Sequence, residues 1–243
     1  MKIQKVILII IIHLFYCFSC YAQYSISAQG GYTSNHLNTN ITNRVFTQNK
    51  NGNGAGFAVS FGYNLNTSLK FQVGIEILQK KYSFVRNGIY LGVHEVFNNT
   101  YFHLPSFVQF RMIKKYNYEI FLNAGFYGGY WAFANVEGVT PNIFDSFDSI
   151  SDNGQSIQYI QLTSYSEKHN FNGRKDNRFE VGWLTGIVAS YNFSKKGSAF
   201  LEFRYYHALS DQQKKYMIIQ TPKYNQTIFI TIGYTLKLYY QNN

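Results

Sequence analysis

Residues 227–237, with the sequence TIFITIGYTLK, decide the fold class of this chain. Apolar side chains occupy one side of the segment: Ile228, Ile230, Ile232, Tyr234 and Leu236. The opposite side is polar or small at Thr227, Thr231, Gly233, Thr235 and Lys237. A period of two residues is typical of a β-strand that separates an apolar environment from a polar one. The alternation lasts about ten residues, the length that a tilted strand needs to cross a bilayer.

The same alternation recurs in seven earlier segments. They are residues 24–33, 57–63, 69–77, 102–112, 119–127, 180–191 and 201–206. Six glycines fall on the polar side of these strands, where a narrow interior leaves little room for side chains: Gly62, Gly74, Gly125, Gly182, Gly186 and Gly233. Together with residues 227–237, the pattern predicts an even number of strands, eight in all.

The connections between these strands alternate in length. Short connections fall at residues 64–68, 114–117 and 194–198, and long ones fall at 34–53, 83–98, 134–177 and 210–224. Such sorting is typical of an outer-membrane barrel, which has short turns in the periplasm and long loops outside. We therefore predict an all-β fold, an eight-stranded antiparallel up-and-down transmembrane β-barrel with short periplasmic turns and long extracellular loops.

The composition fits a chain that is apolar on one side only. Aromatic residues make up 19% of the 243 residues and charged residues 14%, against about 25% charged residues in soluble domains. The mean hydropathy of −0.21 is too low for a bundle of membrane-spanning helices. The net charge is +10 at pH 7. Because export and scattered Lys and Arg argue against nucleic-acid binding, we expect this charge to face anionic lipid, lipopolysaccharide or an envelope protein partner.

Residues 1–22 have the pattern of a cleaved secretory signal peptide. Lys2 and Lys5 precede an apolar stretch at residues 6–18, and Cys20 and Ala22 stand at −3 and −1 of a cleavage site before Gln23. A membrane anchor and a lipoprotein signal, with lipid on Cys17 or Cys20, are the alternatives. Cleavage would leave residues 23–243 as one outer-membrane barrel domain without cysteine, in the bacterial outer membrane.

Several strands resemble those of a known family. Residues 101–111, YFHLPSFVQFR, resemble the YLxIP strand of the PorT-like outer-membrane β-barrel family of the Bacteroidota, and residues 121–130 are similar to its next strand. Residues 179–182, 201–206 and 209–211 match its later strands in order. The resemblance implies a small, mostly uncharacterised outer-membrane barrel without shared catalytic residues. One branch of the family is associated with a protein secretion machine.

Six charged side chains are expected inside the barrel: Glu76, Arg111, Glu119, Glu180, Glu202 and Arg204. An isolated charge there would cost several kcal/mol, so these side chains should pair. Eight strands leave a lumen just wide enough for side chains. We therefore expect a salt-bridged plug, and keep a polar binding chamber or ion path as the alternative. Arg111 and Glu119 should lie near the periplasmic end.

The third long loop supplies candidate contact residues: Phe144, Asp145, Phe147, Asp148 and Asp152. Exposed aromatic side chains among carboxylates suggest cover by the barrel mouth or by a partner. The carboxylate spacing does not match a calcium-binding EF-hand loop. The histidines also lack the spacing of zinc ligands, so we expect no metal and no other cofactor.

One catalytic hypothesis concerns His207 and Ser210, since some small outer-membrane barrels modify lipid A. Three residues apart on a strand, these side chains would face opposite sides, which argues against a Ser-His pair. We expect no enzymatic activity. The leading function is display of extracellular loops to a partner or ligand, with an accessory role in an envelope or secretion assembly as one form of it. The alternative is a small porin-like channel for solutes, and a lipid-A-modifying enzyme ranks third.

Overall fold

The structure, a computed structural model, describes residues 23–42, 44, 46–142, 148–152, 155–159 and 161–238. The expected signal peptide lies outside these residues. The described strands are β1 Gln23–Asn38, β2 Thr47–Asn64, β3 Leu69–Arg86, β4 His94–Lys115, β5 Tyr118–Pro141, β6 Asp148–Asp152, β7 Gln155–Tyr159, β8 Leu162–Lys168, β9 Phe179–Asn192, β10 Gly197–Ala208 and β11 Tyr224–Lys237. A 3₁₀ turn, Gly88–Tyr90, lies between β3 and β4. Within these ranges there is no helix with the length and apolar character to cross a membrane.

Eight of the strands form a closed antiparallel ring. Its order is β1, β2, β3, β4, β5, β9, β10 and β11, and β11 pairs back onto β1. At this closure Ser25 lies opposite Lys237 and Asn38 lies opposite Tyr224. Successive barrel strands are neighbours throughout the ring. The predicted eight-stranded up-and-down barrel is confirmed.

The side chains alternate between the lumen and the outside as the sequence predicted. On β10, Glu202 and Arg204 are buried, whereas Leu201 is 57% exposed on the outer surface. On β11, Thr231 is buried and Ile232 is 71% exposed. Exposed apolar side chains on the outer face of a closed barrel are the surface that acyl chains cover in a membrane.

On one side of the barrel the strands are longer than the sequence indicated. β4 has 22 residues and β5 has 24, whereas β10 has 12. A membrane-spanning strand needs about 9–11 residues, so β4 and β5 rise well beyond the bilayer. β8 pairs with the upper part of β5, from Asn135 to Pro141, and widens this extracellular wall.

The bounds expected for the first three long loops were therefore wrong, whereas the fourth agrees with the structure to within one residue. Residues 34–53 belong mostly to β1 and β2, and Asn35 pairs with Gly52. Residues 134–177 contain the upper part of β5, the β6–β7 hairpin and β8. Above the membrane both faces of a sheet contact water, so strands can continue there without apolar alternation. The short turns lie where the sequence predicted them.

Apolar rings also occupy part of the lumen, which is less polar than the strand pattern suggested. A buried cluster crosses the barrel interior: Ala58, Leu78, Phe107, Tyr127, Leu184, Tyr206 and Phe229. Phe107 and Phe229 lie on the inward side of their strands. Their rings pack around the charged side chains and reduce the space left for water.

Candidate functional site

The centre of the barrel interior is an ion cluster around Arg204 of β10. Its guanidinium donates from Nε to Glu202 Oε1 at 2.8 Å and from Nη2 to Glu202 Oε2 at 2.6 Å. Nη1 pairs with Glu76 of β3, on the other side of the ring. Tyr206 donates its hydroxyl proton to Glu76 Oε2 at 2.6 Å. Charge-assisted bonds of this kind are the strongest hydrogen bonds that side chains form.

A second ion cluster surrounds Glu180 of β9. Its carboxylate pairs with Lys80 of β3 and accepts hydrogen bonds from Tyr127 Oη at 3.0 Å and Asn225 Nδ2 at 2.8 Å. His103 Nε2 lies 3.6 Å from Glu180 Oε1. The side chains of Lys80 and His103 have no solvent exposure. This cluster therefore joins strands from all sides of the lumen.

Aromatic rings cover the cations of both clusters. The Arg204 guanidinium carbon lies 4.6 Å from the centre of the Phe107 ring, and the Lys80 ammonium lies 4.7 Å from that of Tyr101. Rings at these distances attract a cation through their negative faces. The His103 ring stacks on Tyr127, with 4.7 Å between ring centres. The charges are thus enclosed by rings rather than by open water.

The fourth extracellular loop, residues 209–223, covers the mouth of the lumen. Gln212 is 6% exposed, donates from Nε2 to Tyr101 Oη at 3.1 Å and accepts from Tyr82 Oη at 3.4 Å. The backbone of Gln212 bonds to Lys223 O at 2.8 Å and to Asn177 N at 3.0 Å. Burial of Lys223, at the end of this loop, lowers the pKa of its ammonium group. Loop 4 is therefore a cap fixed to the third loop and to the barrel wall.

An extracellular groove of about 750 Å³ lies above the cap, along the inner side of the extended wall. Two arginines in it stack on rings: Arg86 lies 4.7 Å from the centre of Tyr90, and Arg44 lies 5.2 Å from the centre of Phe84. Tyr165 of β8 donates to Glu95 at 3.0 Å. Desolvation and this bond raise the pKa of Tyr165 to about 12. Guanidinium groups and rings in an open groove can hold an acidic or flat ligand.

The structure brings together some of the residues that the sequence singled out. Glu76, Glu202 and Arg204 form one cluster, and Glu180 belongs to the other. Arg111 and Glu119 form a separate pair at the periplasmic end, with Nε 3.4 Å from Oε1. In the third loop, the backbones of Asp148 and Asp152 lie at the two ends of β6. Phe144, Asp145 and Phe147 lie outside the described residues, as do the side chains of those two aspartates.

Sequence reasoning missed Lys80 and Gln212. Lys80 has the inward parity of Glu76, but its strand was ended at residue 77, so a longer strand would have revealed it. Gln212 lies in a loop without periodicity, and nothing in the sequence marks it as a plug. His103 lies on the polar side of the alternating segment 102–112, where its sequence spacing was tested only against that of metal ligands. Within the described ranges there is no group of three or more candidate metal ligands.

His207 and Ser210, the candidate catalytic pair, contact different neighbours in the structure. His207 stacks on Trp183, with 5.3 Å between ring centres, and its Nδ1 lies 3.3 Å from Tyr205 Oη. Ser210 Oγ accepts from Val181 N at 3.0 Å. Each polar group is thus occupied by a different neighbour, and no hydrogen bond joins His207 to Ser210 in this described part of the chain.

The closed ring, the apolar outer surface and the ion-paired lumen define a transmembrane β-barrel of the bacterial outer membrane. The family described as "Outer membrane protein beta-barrel domain" matches residues 21–213. The chain belongs to this family, and its location is the bacterial outer membrane. No curated protein sequence matches it.

Solved outer-membrane structures are similar to this chain at low identity. Neisserial surface protein A is 11% identical, with 90% of this chain and 99% of that chain covered and a TM-score of 0.44. Ail, the attachment invasion locus protein of Yersinia pestis, is 14% identical, with 87% of this chain and 98% of that chain covered and a TM-score of 0.38. The outer membrane protein OprG from Pseudomonas aeruginosa is 8% identical, with 87% of this chain and 95% of that chain covered and a TM-score of 0.43.

Proposed function

We propose that the protein is a non-enzymatic barrel that holds its extracellular segments in place for contact with a partner or ligand. The observation that carries the proposal is the filled lumen, in which two ion clusters, aromatic rings and Gln212 occupy successive levels. A rigid barrel that carries long surface segments is a common way to position binding residues. The groove beside Arg44 and Arg86 and the third loop, with its candidates Phe144, Asp145, Phe147, Asp148 and Asp152, are the proposed contact surfaces.

A small porin-like channel is the second candidate. A polar cavity of about 100 Å³ on the periplasmic side of the Arg204 cluster favours it, because a water-filled chamber could be part of a solute path. A path would have to pass Arg204, Lys80 and Gln212, whose buried side chains are held by ion pairs or hydrogen bonds to the barrel wall. Steady conductance of the refolded protein would select this candidate.

A lipid-A-modifying enzyme is the third candidate. On our proposal, replacing His207 by alanine leaves lipid A unchanged, since its ring only packs beside Trp183 and Tyr205. Lipid A from cells with the parent and the H207A variant should give the same mass spectrum. A difference in acyl composition between the two would support enzymatic activity.

We further propose that the chain is a PorT-like barrel of the Bacteroidota and an accessory of an envelope or secretion assembly. The strands that resemble this family are β4, β5, β9 and β10, which also supply most of the lumen charges. The proposed neighbours are outer-membrane lipid, lipopolysaccharide and an envelope protein. Nucleic acid is not among them, because the exported barrel would not meet it.

Crosslinking from the third loop tests the proposed contact. Ser149→Cys places a thiol in β6, and a membrane-impermeant crosslinker on intact cells followed by mass spectrometry reports what lies within reach. Ser68→Cys, in the first periplasmic turn, is the matched control and should stay unlabelled. Reproducible capture of one protein would support an accessory role. Labelling of Ser149→Cys without any captured protein or glycan would contradict loop-mediated contact.

A further inference from the structure

The periplasmic end of the barrel contains a cavity that loop display does not use. It has a volume of about 100 Å³ and lies between Glu202 and the first periplasmic turn, residues 65–68. Hydroxyl and amide groups make up most of its lining, among them Ser27, Ser60 and Ser190. A water needs roughly 10–15 Å³ of such space, so several waters or one small ligand fit.

Two lysines in this cavity lack a carboxylate partner. Lys237 Nζ donates to the amide oxygen of Asn192 at 3.0 Å. Lys70 forms no hydrogen bond or ion pair within the part of the chain that the structure describes. The nearby carboxylates are engaged, since Glu119 pairs with Arg111 and Glu202 pairs with Arg204. A chamber in which two ammonium groups have no directly bonded carboxylate favours the entry of an anion.

Three buried amide side chains point to the same kind of ligand. Gln29, Gln72 and Gln109 line the cavity and are 5%, 5% and 6% exposed. Their side chains make no hydrogen bond to any described residue. Their amide groups face the cavity, and each amide can donate two hydrogen bonds to a molecule inside it. Oxygen atoms of a bound ligand could accept them.

The charge around the cavity would guide anions to it. Exposed lysines occupy the periplasmic turns at Lys114, Lys115, Lys195 and Lys196. Glu119 is the one acidic residue on the described turns and strand ends of this side, and it is already paired. Clusters of one sign around a cavity raise the local concentration of counter-ions.

We propose that this cavity binds a small oxyanion, a phosphate group, that enters from the periplasm. Lys70 and Lys237 neutralise its charge, and Gln29, Gln72 and Gln109 donate hydrogen bonds to its oxygens. The site is on the opposite side of the membrane from the proposed extracellular contacts and does not depend on them. The oxyanion belongs either to a soluble metabolite or to the headgroup of a phospholipid.

Binding of three probes to the refolded full chain in maltoside micelles tests the proposal. The probes are inorganic phosphate, glycerol 3-phosphate and phosphatidylglycerol, and binding is followed by phosphorus NMR. Lys70→Met and Lys237→Met should each weaken binding at least about tenfold, the effect of losing a charge-assisted hydrogen bond. Lys196→Met removes the same charge from an exposed turn and should weaken binding less than about twofold.

A second measurement keeps the test independent of variant folding. In the parent protein, a bound oxyanion should protect Lys70 from acetylation while Lys196 reacts as before. Protection by either of the two soluble probes indicates a soluble ligand, and protection by phosphatidylglycerol alone indicates a lipid headgroup. Both results support the site. The absence of binding and protection with all three probes would overturn the proposal, as would equal weakening by Lys196→Met.

Discussion

Removing the Arg204 guanidinium should destabilise the barrel strongly. Arg204 is 2% exposed and is bonded to both Glu76 and Glu202. Arg204→Met keeps most of the aliphatic stem and its contact with Phe107, but leaves two carboxylates in the lumen without their cation. The perturbation therefore tests the charge pairing rather than the packing.

The expected loss in the free energy of unfolding follows from the two buried carboxylates that Arg204→Met leaves without a cation. Breaking one buried ion pair by deleting one partner costs about 3–5 kcal/mol, because the remaining charge stays buried. Arg204 serves two carboxylates, so the loss in the free energy of unfolding should reach at least this range. Tyr206 can still donate to Glu76, which offsets a small part of the cost. Combining Arg204→Met with Glu76→Gln and Glu202→Gln removes the stranded charges and should restore most of the loss.

Urea unfolding of the refolded proteins in vesicles measures both effects. The fluorescence of Trp131 and Trp183 and the gel mobility of unboiled samples report the folded fraction. If Arg204→Met unfolds within about 0.5 kcal/mol of the parent, the carboxylates are hydrated and the lumen is not closed at this level. A triple variant as unstable as the single one would also refute the charge argument, because the cost would then come from packing.

Three further predictions concern other parts of the barrel. Gly125→Ala should cost about 1–3 kcal/mol in urea unfolding, because its Cβ would lie 2.3 Å from a backbone carbonyl oxygen of β4, whereas Gly128→Ala, with no atom within 4 Å, should be neutral. Gln212→Ala should speed amide hydrogen exchange in loop 4, since the bonds to the two buried tyrosines are lost, and Gln213→Ala should not. Tyr165→Phe should remove one ionisation near pH 12 from the absorbance titration, because the raised pKa keeps this phenol neutral up to that pH; loss of a component near pH 10 instead would contradict the bond to Glu95.

The fold could be predicted because the bilayer and the lumen impose opposite polarity on alternate residues. On β10 and β11 this alternation marks both the strands and their inward faces, which include the buried side chains of Glu202 and Arg204. Above the bilayer both faces of a strand contact water, so the alternation of apolar and polar residues disappears. The polar run at residues 47–54 therefore reads as a loop although it continues β2.

The partners of the lumen charges could not be predicted in the same way. The alternation along a strand shows which side chains face the lumen. It does not show at what level along the barrel axis each side chain lies, which depends on the stagger of the closed barrel. Lys80 and Glu180 are 100 residues apart in sequence and meet only through that stagger. Gln212 reaches the lumen because loop 4 folds back over the mouth, and such a fold depends on backbone bonds to the third loop that leave no periodic signal.

Planar-bilayer recording of the refolded parent protein tests the closed lumen most directly. The two ion clusters, the aromatic rings and the Gln212 cap predict that no steady conductance on the nanosiemens scale is seen. Insertion should be verified in the same samples by the gel mobility of unboiled protein. Steady nanosiemens conductance from verified, folded barrels would show a continuous aqueous path and would contradict the plugged barrel.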